Sequence, residues 1–113
     1  MDCIFCKIVA REIPSNIVFQ DENVVAFRDI NPQAPVHIVL VPAQHLSSLL
    51  DIRPENSHLI GDLTYVATVL AEREGIAKSG FRLVMNCGPD AGQTVDHIHM
   101  HLLGGRAMQW PPG

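Results

Sequence analysis

Apolar residues that recur at helical spacing predict two helices in this chain. The first covers 4–9, where Asp2 is placed to cap the helix and Pro14 lies beyond its end. The second is longer, because its apolar positions repeat over 59–70 and Gly75 follows with the conformational freedom that a helix end requires. We expect this long helix to cover one face of a sheet.

Alternating and β-branched segments predict five strands, at 17–20, 24–28, 37–41, 81–86 and 95–103. The first two flank the polar residues 21–23 and form a predicted hairpin. The elements together predict an α+β fold, in which a five-stranded antiparallel sheet carries one long and one short helix. Because 113 residues with 47% hydrophobic composition support one core, we expect a single domain over 1–113, with 105–113 as a C-terminal tail.

Charge and the lack of long apolar runs narrow the classes of partner. The net charge is -4 with only eight Lys and Arg residues, which argues against a polynucleotide but allows a single nucleotide. No apolar run reaches the roughly 20 residues of a membrane span, and the first residues lack the pattern of an export signal. We therefore expect a cytoplasmic protein without a membrane partner, in which the cysteines remain thiols.

Three histidines at a spacing of two dominate the last predicted strand. His97, His99 and His101 would share one face, while the apolar residues between them pack beneath the long helix. Such a row suits nucleophilic catalysis by neutral imidazole or a metal cage, including a catalytic metal held by all three rings, and the spacing alone leaves these alternatives open. The preceding loop is placed to hold phosphate oxygens near His99 through main-chain amides and the Thr94 hydroxyl.

A second set of chemically active residues is distributed across the chain. Cys3, Cys6, His45 and His97 have the ligand types of a tetrahedral Cys2His2 zinc site, and we expect them to converge where the first helix docks. Four protein ligands leave no open position for water, so a structural zinc is expected, with no catalytic cofactor. The alternative is that Cys3 and Cys6 are small buried thiols, which is also what we expect of Cys87.

Several segments combine into a longer motif, namely 27–37, Asn86, 92–95, the His-φ-His-φ-His-φ-φ run of 97–103, then 104–106 and 110–113. In this combination the chain resembles the Hint branch of the histidine-triad superfamily over nearly its whole length. The resemblance implies a purine nucleoside 5′-phosphoramidate hydrolase, similar to adenosine 5′-monophosphoramidase. His99 would attack the α-phosphorus, and water would hydrolyse the nucleotidyl-histidine, so that a nucleoside monophosphate and an amine are released.

The resemblance also implies roles for individual residues. Catalysis would involve His99, His101, His37 and Thr94, the last at a position where family members commonly carry Ser. Asp29 would accept both ribose hydroxyls, and apolar side chains would form the purine slot. The implied nucleotide-binding residues are Phe5, Ile8, Phe27, Asp29, Ile30, Asn86, Gly92, Gln93, Thr94, Val95, His99, His101 and Trp110.

Oligomeric state and an alternative function follow from the same resemblance. Hint-type proteins are homodimers, so we expect the C-terminal segment to cross to the partner and to bring Trp110 close to its nucleotide site. In metal-carrying relatives the first triad histidine, here His97, is a ligand. The alternative function is a regulatory or protein-interaction module that binds purine nucleotides and hydrolyses them only incidentally.

Overall fold

The computed structural model describes residues 3–113. Its elements are α1 (Ile4–Val9), β1 (Ile17–Gln20), β2 (Val24–Arg28), β3 (Val36–Pro42), a 3-10 turn (Leu49–Asp51), α2 (His58–Arg73), β4 (Phe81–Val84) and β5 (Met100–Gly104). The strands form one sheet in the order β1-β2-β3-β5-β4, and every neighbouring pair is antiparallel. The predicted α+β architecture is confirmed. Within residues 3–113, neither helix has the length and apolar character needed to cross a membrane.

The two faces of the sheet have different coverings. One face packs against α2 through alternate strand residues, namely Val24, Ala26, Ile38, Leu40, Met100 and Leu102. The opposite face packs against α1 in its first three strands, with Val25, Phe27, Val39 and Val41 around Ile8. Because side chains alternate along a strand, His37 and His101 also point to this second face, beyond the part that α1 covers. The short helix therefore leaves room for a site beside it.

Two strand boundaries differ from those predicted by two residues or more. β4 ends at Val84, and β5 begins at Met100, so His97 and His99 precede the regular strand. The segment before β5 bonds elsewhere, since the amide of Ile98 donates to the carbonyl of Leu46 at 2.8 Å. The alternation nevertheless persists, because Ile98 is buried with the α2 core while His97 and His99 face away from it.

The residue that caps the start of α1 differs from the prediction, whereas the end of α2 agrees with it. Cys3 is the N-cap of α1, where its sulfur accepts a hydrogen bond from the amide of Cys6, and the predicted cap Asp2 lies outside the described residues. At the end of α2, Gly75 has a φ of 74°, the left-handed conformation in which glycine is favoured. The chain then turns back towards β4.

Candidate active site and metal centre

A cavity of about 510 Å³ opens beside α1, on the second face of the sheet. Its lining residues are Ile4, Phe5, Ile8, Ile13, Pro14, Ser15, Phe27, Arg28, Asp29, Ile30, Val39, Thr94, Val95, His99 and His101. Apolar side chains from α1, β2 and β3 form most of this wall, while two imidazoles and a carboxylate supply polar groups. A mostly apolar pocket with a few convergent polar groups is the usual form of a small-molecule site.

His99 presents one free nitrogen to this cavity. Its Nδ1 lies 2.8 Å from the main-chain oxygen of His97, which can only accept, so Nδ1 carries the proton. In the neutral ring the lone pair is then on Nε2. The ring is only 6% exposed, and the rings of Phe5 and His101 pack against it at centroid distances of 5.1 Å each. The tautomer of His99 with its lone pair on Nε2 is therefore held in one orientation.

A chain of hydrogen bonds also determines which nitrogen of His101 carries a proton. The amide of Gln33 donates to His37 Nδ1 at 3.0 Å, so neutral His37 carries its proton on Nε2. That nitrogen lies 2.9 Å from His101 Nδ1, which must accept and leaves the His101 proton on Nε2. The two rings meet because β3 and β5 pair with Val39 opposite His101, which places His37 diagonally across.

Burial keeps this histidine pair neutral. Burial lowers the pKa of His37, and the charge of Asp29 opposes that effect. Burial, together with His99 and His37, lowers the pKa of His101 to about 4. Both rings are neutral near pH 7, as the donor and acceptor assignments require.

Asp29 joins the cavity to the histidine pair. One carboxylate oxygen accepts from the amide of Asn31 at 2.8 Å, and the other lies 3.4 Å from His37 Nε2. An ionised carboxylate offers about four acceptor positions, so capacity for two hydroxyl donors remains. The next residue, Ile30, is fully exposed at the rim of the cavity, where a ligand would cover it.

The loop before the histidine row is held mainly by its own bonds. The amides of Gly92 and Gln93 donate to main-chain oxygens of Pro89 and Gly88, each at 3.1 Å, and are not free for a ligand. The Gln93 side chain binds backbone groups as well, including the carbonyl of Ser47 at 2.8 Å. Thr94 and Val95 line the cavity. Fewer main-chain amides of this loop are thus available to bind phosphate than the sequence predicts.

Three other predicted residues lie away from the cavity wall. His37 contacts it through His101 and through Asp29. Asn86 is half-buried just after β4 and does not line the cavity. Trp110 is 82% exposed in the C-terminal segment. The roles that the resemblance implies for these three residues stay predictions.

The structure adds cavity residues that the sequence analysis did not single out, namely Ile4, Ile13, Pro14, Ser15, Arg28 and Val39. The sequence contains a pattern that marks Val39, because it lies two residues after His37 in a predicted strand and so shares its face. No comparable pattern marks Ser15, which follows a proline in an irregular segment. Arg28 has its guanidinium paired with Glu74 at 2.8 and 3.0 Å.

The four predicted metal ligands come together at the other end of the histidine row. Their donor atoms all lie within 4.8 Å of one another. Cys3 Sγ lies 3.3 Å from His97 Nδ1, Cys6 Sγ lies 3.2 Å from His45 Nδ1, and the two Nδ1 atoms are 3.1 Å apart. Tetrahedral zinc with bond lengths of about 2.0–2.3 Å separates its ligand atoms by roughly 3.3–3.8 Å. The donor set and its spacing fit a metal of this kind.

Protonation at His97 supports the same conclusion. Its Nε2 lies 2.9 Å from the carbonyl of Pro42, so Nε2 carries the proton and Nδ1 has a lone pair. This lone pair points at two sulfurs and a second imidazole, inside a site where His97 is 0% exposed. Burial and the neighbouring Cys3 raise the pKa of the Cys6 thiol to about 11, so a cation is what would favour its thiolate form.

Comparison with known proteins identifies the domain. A family model described as HIT domain matches residues 10–108. The chain belongs to the HIT family. The crystal structure of a HIT family hydrolase from Legionella pneumophila Philadelphia 1 superposes with a TM-score of 0.97 at 48% identity, covering 99% of this chain and 100% of that chain.

Two similar sequences bear functional names. The purine nucleoside phosphoramidase of Escherichia coli (strain K12) is 51% identical over 107 residues, covering 95% of this chain and 90% of the relative. The 14 kDa zinc-binding protein of Zea mays is 52% identical over 112 residues, covering 97% of this chain and 87% of the relative. The HIT match itself begins after α1, so Cys3, Phe5, Cys6 and Ile8 all precede the matched domain.

Proposed function

We propose that this chain hydrolyses purine nucleoside 5′-phosphoramidates through a covalent intermediate on His99. The observation that carries the proposal is the bond from His99 Nδ1 to the His97 carbonyl, which leaves the Nε2 lone pair at a mostly apolar cavity. The similarity to a purine nucleoside phosphoramidase supports the substrate class. The apolar wall suits the flat faces of a base, and Asp29 offers acceptors for ribose hydroxyls.

The reaction has two displacements at phosphorus. In the first, His99 Nε2 forms a bond to the α-phosphorus while the phosphorus–nitrogen bond breaks and the leaving amine takes up a proton. His101 Nε2–H and the Thr94 hydroxyl are the nearby donors, and amides at residues 94–95 would hold phosphate oxygens. In the second, water attacks phosphorus while the bond between phosphorus and His99 Nε2 breaks, and one water proton returns to the group that protonated the amine, so that the monophosphate leaves and His99 is neutral again.

Intact-mass analysis tests this mechanism directly. The protein is mixed with adenosine 5′-phosphoramidate and quenched before one turnover is complete, and we expect one adenylyl group on His99, located by peptide mapping. Turnover with no adduct at any quench time would contradict covalent catalysis. Binding of the nucleotide without turnover would instead favour the nucleotide-binding module.

We also propose that Cys3, Cys6, His45 and His97 hold a structural zinc ion. The converging ligand atoms and the similarity to a zinc-binding protein support this assignment. When bound, zinc would supply cross-links between α1 and the segments that carry His45 and His97. Metal analysis should give about one zinc per chain, reduced to a trace by Cys6→Ser and unchanged by the matched variant Cys87→Ser. Equal zinc in both variants would contradict the assignment.

We further propose that two copies of the chain associate through β4 and the C-terminal segment. β4 is an edge strand, so one side of its backbone is open to pairing, and Trp110 presents an apolar surface nearby. The tail is anchored beside this edge, since Arg82 donates to the carbonyl of Gln109 at 3.0 Å. Sedimentation should find a dimer, and deletion of 108–113 should change kcat/KM and leaving-amine preference. A monomer at micromolar concentration would contradict the proposal.

A further inference from the structure

The proposed zinc site and the proposed active site share structural elements in this chain. We propose that metal binding by Cys3, Cys6, His45 and His97 organises the nucleotide cavity, so that metal and nucleotide bind cooperatively. The inference rests on the proposed function and goes beyond it, because a purely structural zinc would stabilise the fold without altering nucleotide affinity. Three separate connections between the two sites support it.

The first connection is His97 itself. Its ring is fixed on both sides, by the Pro42 carbonyl at Nε2 and by the donor cluster at Nδ1. Its main-chain oxygen accepts a hydrogen bond from the Nδ1–H group of His99 at 2.8 Å, and that bond orients the proposed nucleophile. A ligand bond at His97 Nδ1 would therefore restrict the same residue whose carbonyl positions His99.

The second connection is α1. Cys3 and Cys6 bracket Phe5, whose ring lies 5.1 Å from His99 and 5.5 Å from Phe27, in the cavity wall. A helix of six residues is far below the roughly 12–15 residues at which isolated helices become marginally stable. Its position therefore depends on tertiary contacts. Bonds from both cysteines to a shared metal would fasten this wall of the cavity to the segments carrying His45 and His97.

The third connection is the segment that carries His45. The carbonyl of Leu46 accepts from the amide of Ile98 at 2.8 Å, and the carbonyl of Ser47 accepts from the Gln93 side chain, also at 2.8 Å. The residues directly after His45 are thus bonded to the loop on either side of Thr94 and Val95. Fixing His45 on a metal would restrain that loop.

Thermodynamic linkage between metal binding and nucleotide binding determines which measurements test the proposal. If metal raises the affinity for a nucleotide by a given factor, the nucleotide must raise the affinity for metal by the same factor. We expect a factor of about five or more, within the range of ordinary coupling between sites. Both affinities can be measured at equilibrium with AMP and Zn²⁺, without any turnover.

The experiment compares zinc-loaded and metal-free protein. Calorimetry gives the Kd for AMP in each state, and competition with a chelator gives the Kd for Zn²⁺ with and without saturating AMP. Tighter AMP binding to the loaded protein, with the same factor in the reverse measurement, supports the proposal. Equal Kd values for AMP in the two states overturn it and leave the zinc purely structural. Failure of the loaded protein to bind AMP contradicts the proposed function as well.

Two variants keep the test decisive if the metal-free protein loses its fold, which circular dichroism will detect. Phe5→Ala retains all four donors but removes the ring between α1 and His99. In this variant the Kd for Zn²⁺ measured without AMP should stay near that of the wild type. The ratio of the Kd for Zn²⁺ without AMP to the Kd with saturating AMP should fall towards one. Cys87→Ser is the matched control and should keep the full coupling. Full coupling in Phe5→Ala would contradict the connection through α1.

Discussion

Imidazole rings at the two ends of the histidine row, residues 97–101, have different bonding partners. At one end, the Gln33 amide donates to His37, and His37 donates to His101, so three of the four ring nitrogens meet a complementary group. At the other end, the Nδ1 atoms of His45 and His97 lie 3.1 Å apart beside two thiol sulfurs. The first arrangement is a donor–acceptor chain between rings, whereas the second brings four atoms of the types that bind zinc within 4.8 Å of one another. The two ends thus differ in what their histidines face, which is another imidazole at the end proposed for catalysis and two thiol sulfurs at the end proposed for metal binding.

His99 lies between the two ends, and its replacement should have the largest effect. His99→Ala removes the nucleophile, so we expect phosphoramidate turnover to fall by at least ~10³-fold while AMP binding and zinc content persist. Steady-state kinetics and calorimetry measure these quantities. His58→Ala is the matched control, because His58 is exposed on α2, and it should leave turnover unchanged. A variant at His99 with near-normal turnover would invalidate the mechanism.

Replacing one histidine from each end should change different properties, namely turnover at one end and zinc content at the other. His37→Leu leaves His101 Nδ1 without its donor and should lower kcat by about 10²-fold, the scale of a misplaced catalytic group, with zinc content unchanged. His45→Leu should instead lose zinc. Kinetics and metal analysis on both variants test the contrast.

A conservative variant separates positioning from packing at His37. The side-chain amide of His37→Gln can donate to His101, so this variant should recover part of the kcat lost in His37→Leu. If the Leu and Gln variants are equally slow, donation from His37 is not what positions His101. If His37→Leu also loses zinc, the two ends are not separable.

A smaller effect should appear in the pH dependence of stability. The pKa of His101 is about 4 in the folded protein and about 6.5 when unfolded, so between these values only the unfolded chain takes up the proton. The free energy of unfolding should therefore decrease as the pH falls from about 7 to about 4, and His101→Asn should make that slope shallower. Urea unfolding across this range measures the slope, with His58→Asn as the control. An unchanged slope in His101→Asn would show that His101 does not titrate as described.

Much of the architecture could be predicted because it depends on local periodicity. Alternation placed Ile98, Met100 and Leu102 against α2 and turned the histidines away from it, although His97 and His99 lie before the regular strand. The hairpin of β1 and β2 and the long helix were predictable for the same reason, since burial of one face imposes a period on the chain. The residue types of the Cys2His2 set were also visible, but nothing local requires them to meet.

Tertiary structure decided what each polar group does. The sequence alone could not show that the amides of Gly92 and Gln93 bond within their own loop, or that Ser15 lines the cavity. Nor could it assign a proton to either nitrogen of His97, because that assignment depends on the carbonyl of Pro42, whereas a main-chain carbonyl close in the chain was the expected partner of His99. Periodicity determines which face of the sheet a side chain occupies. The partners of His97 Nε2 and His101 Nδ1 come from segments distant in the chain, and only folding brings those segments together.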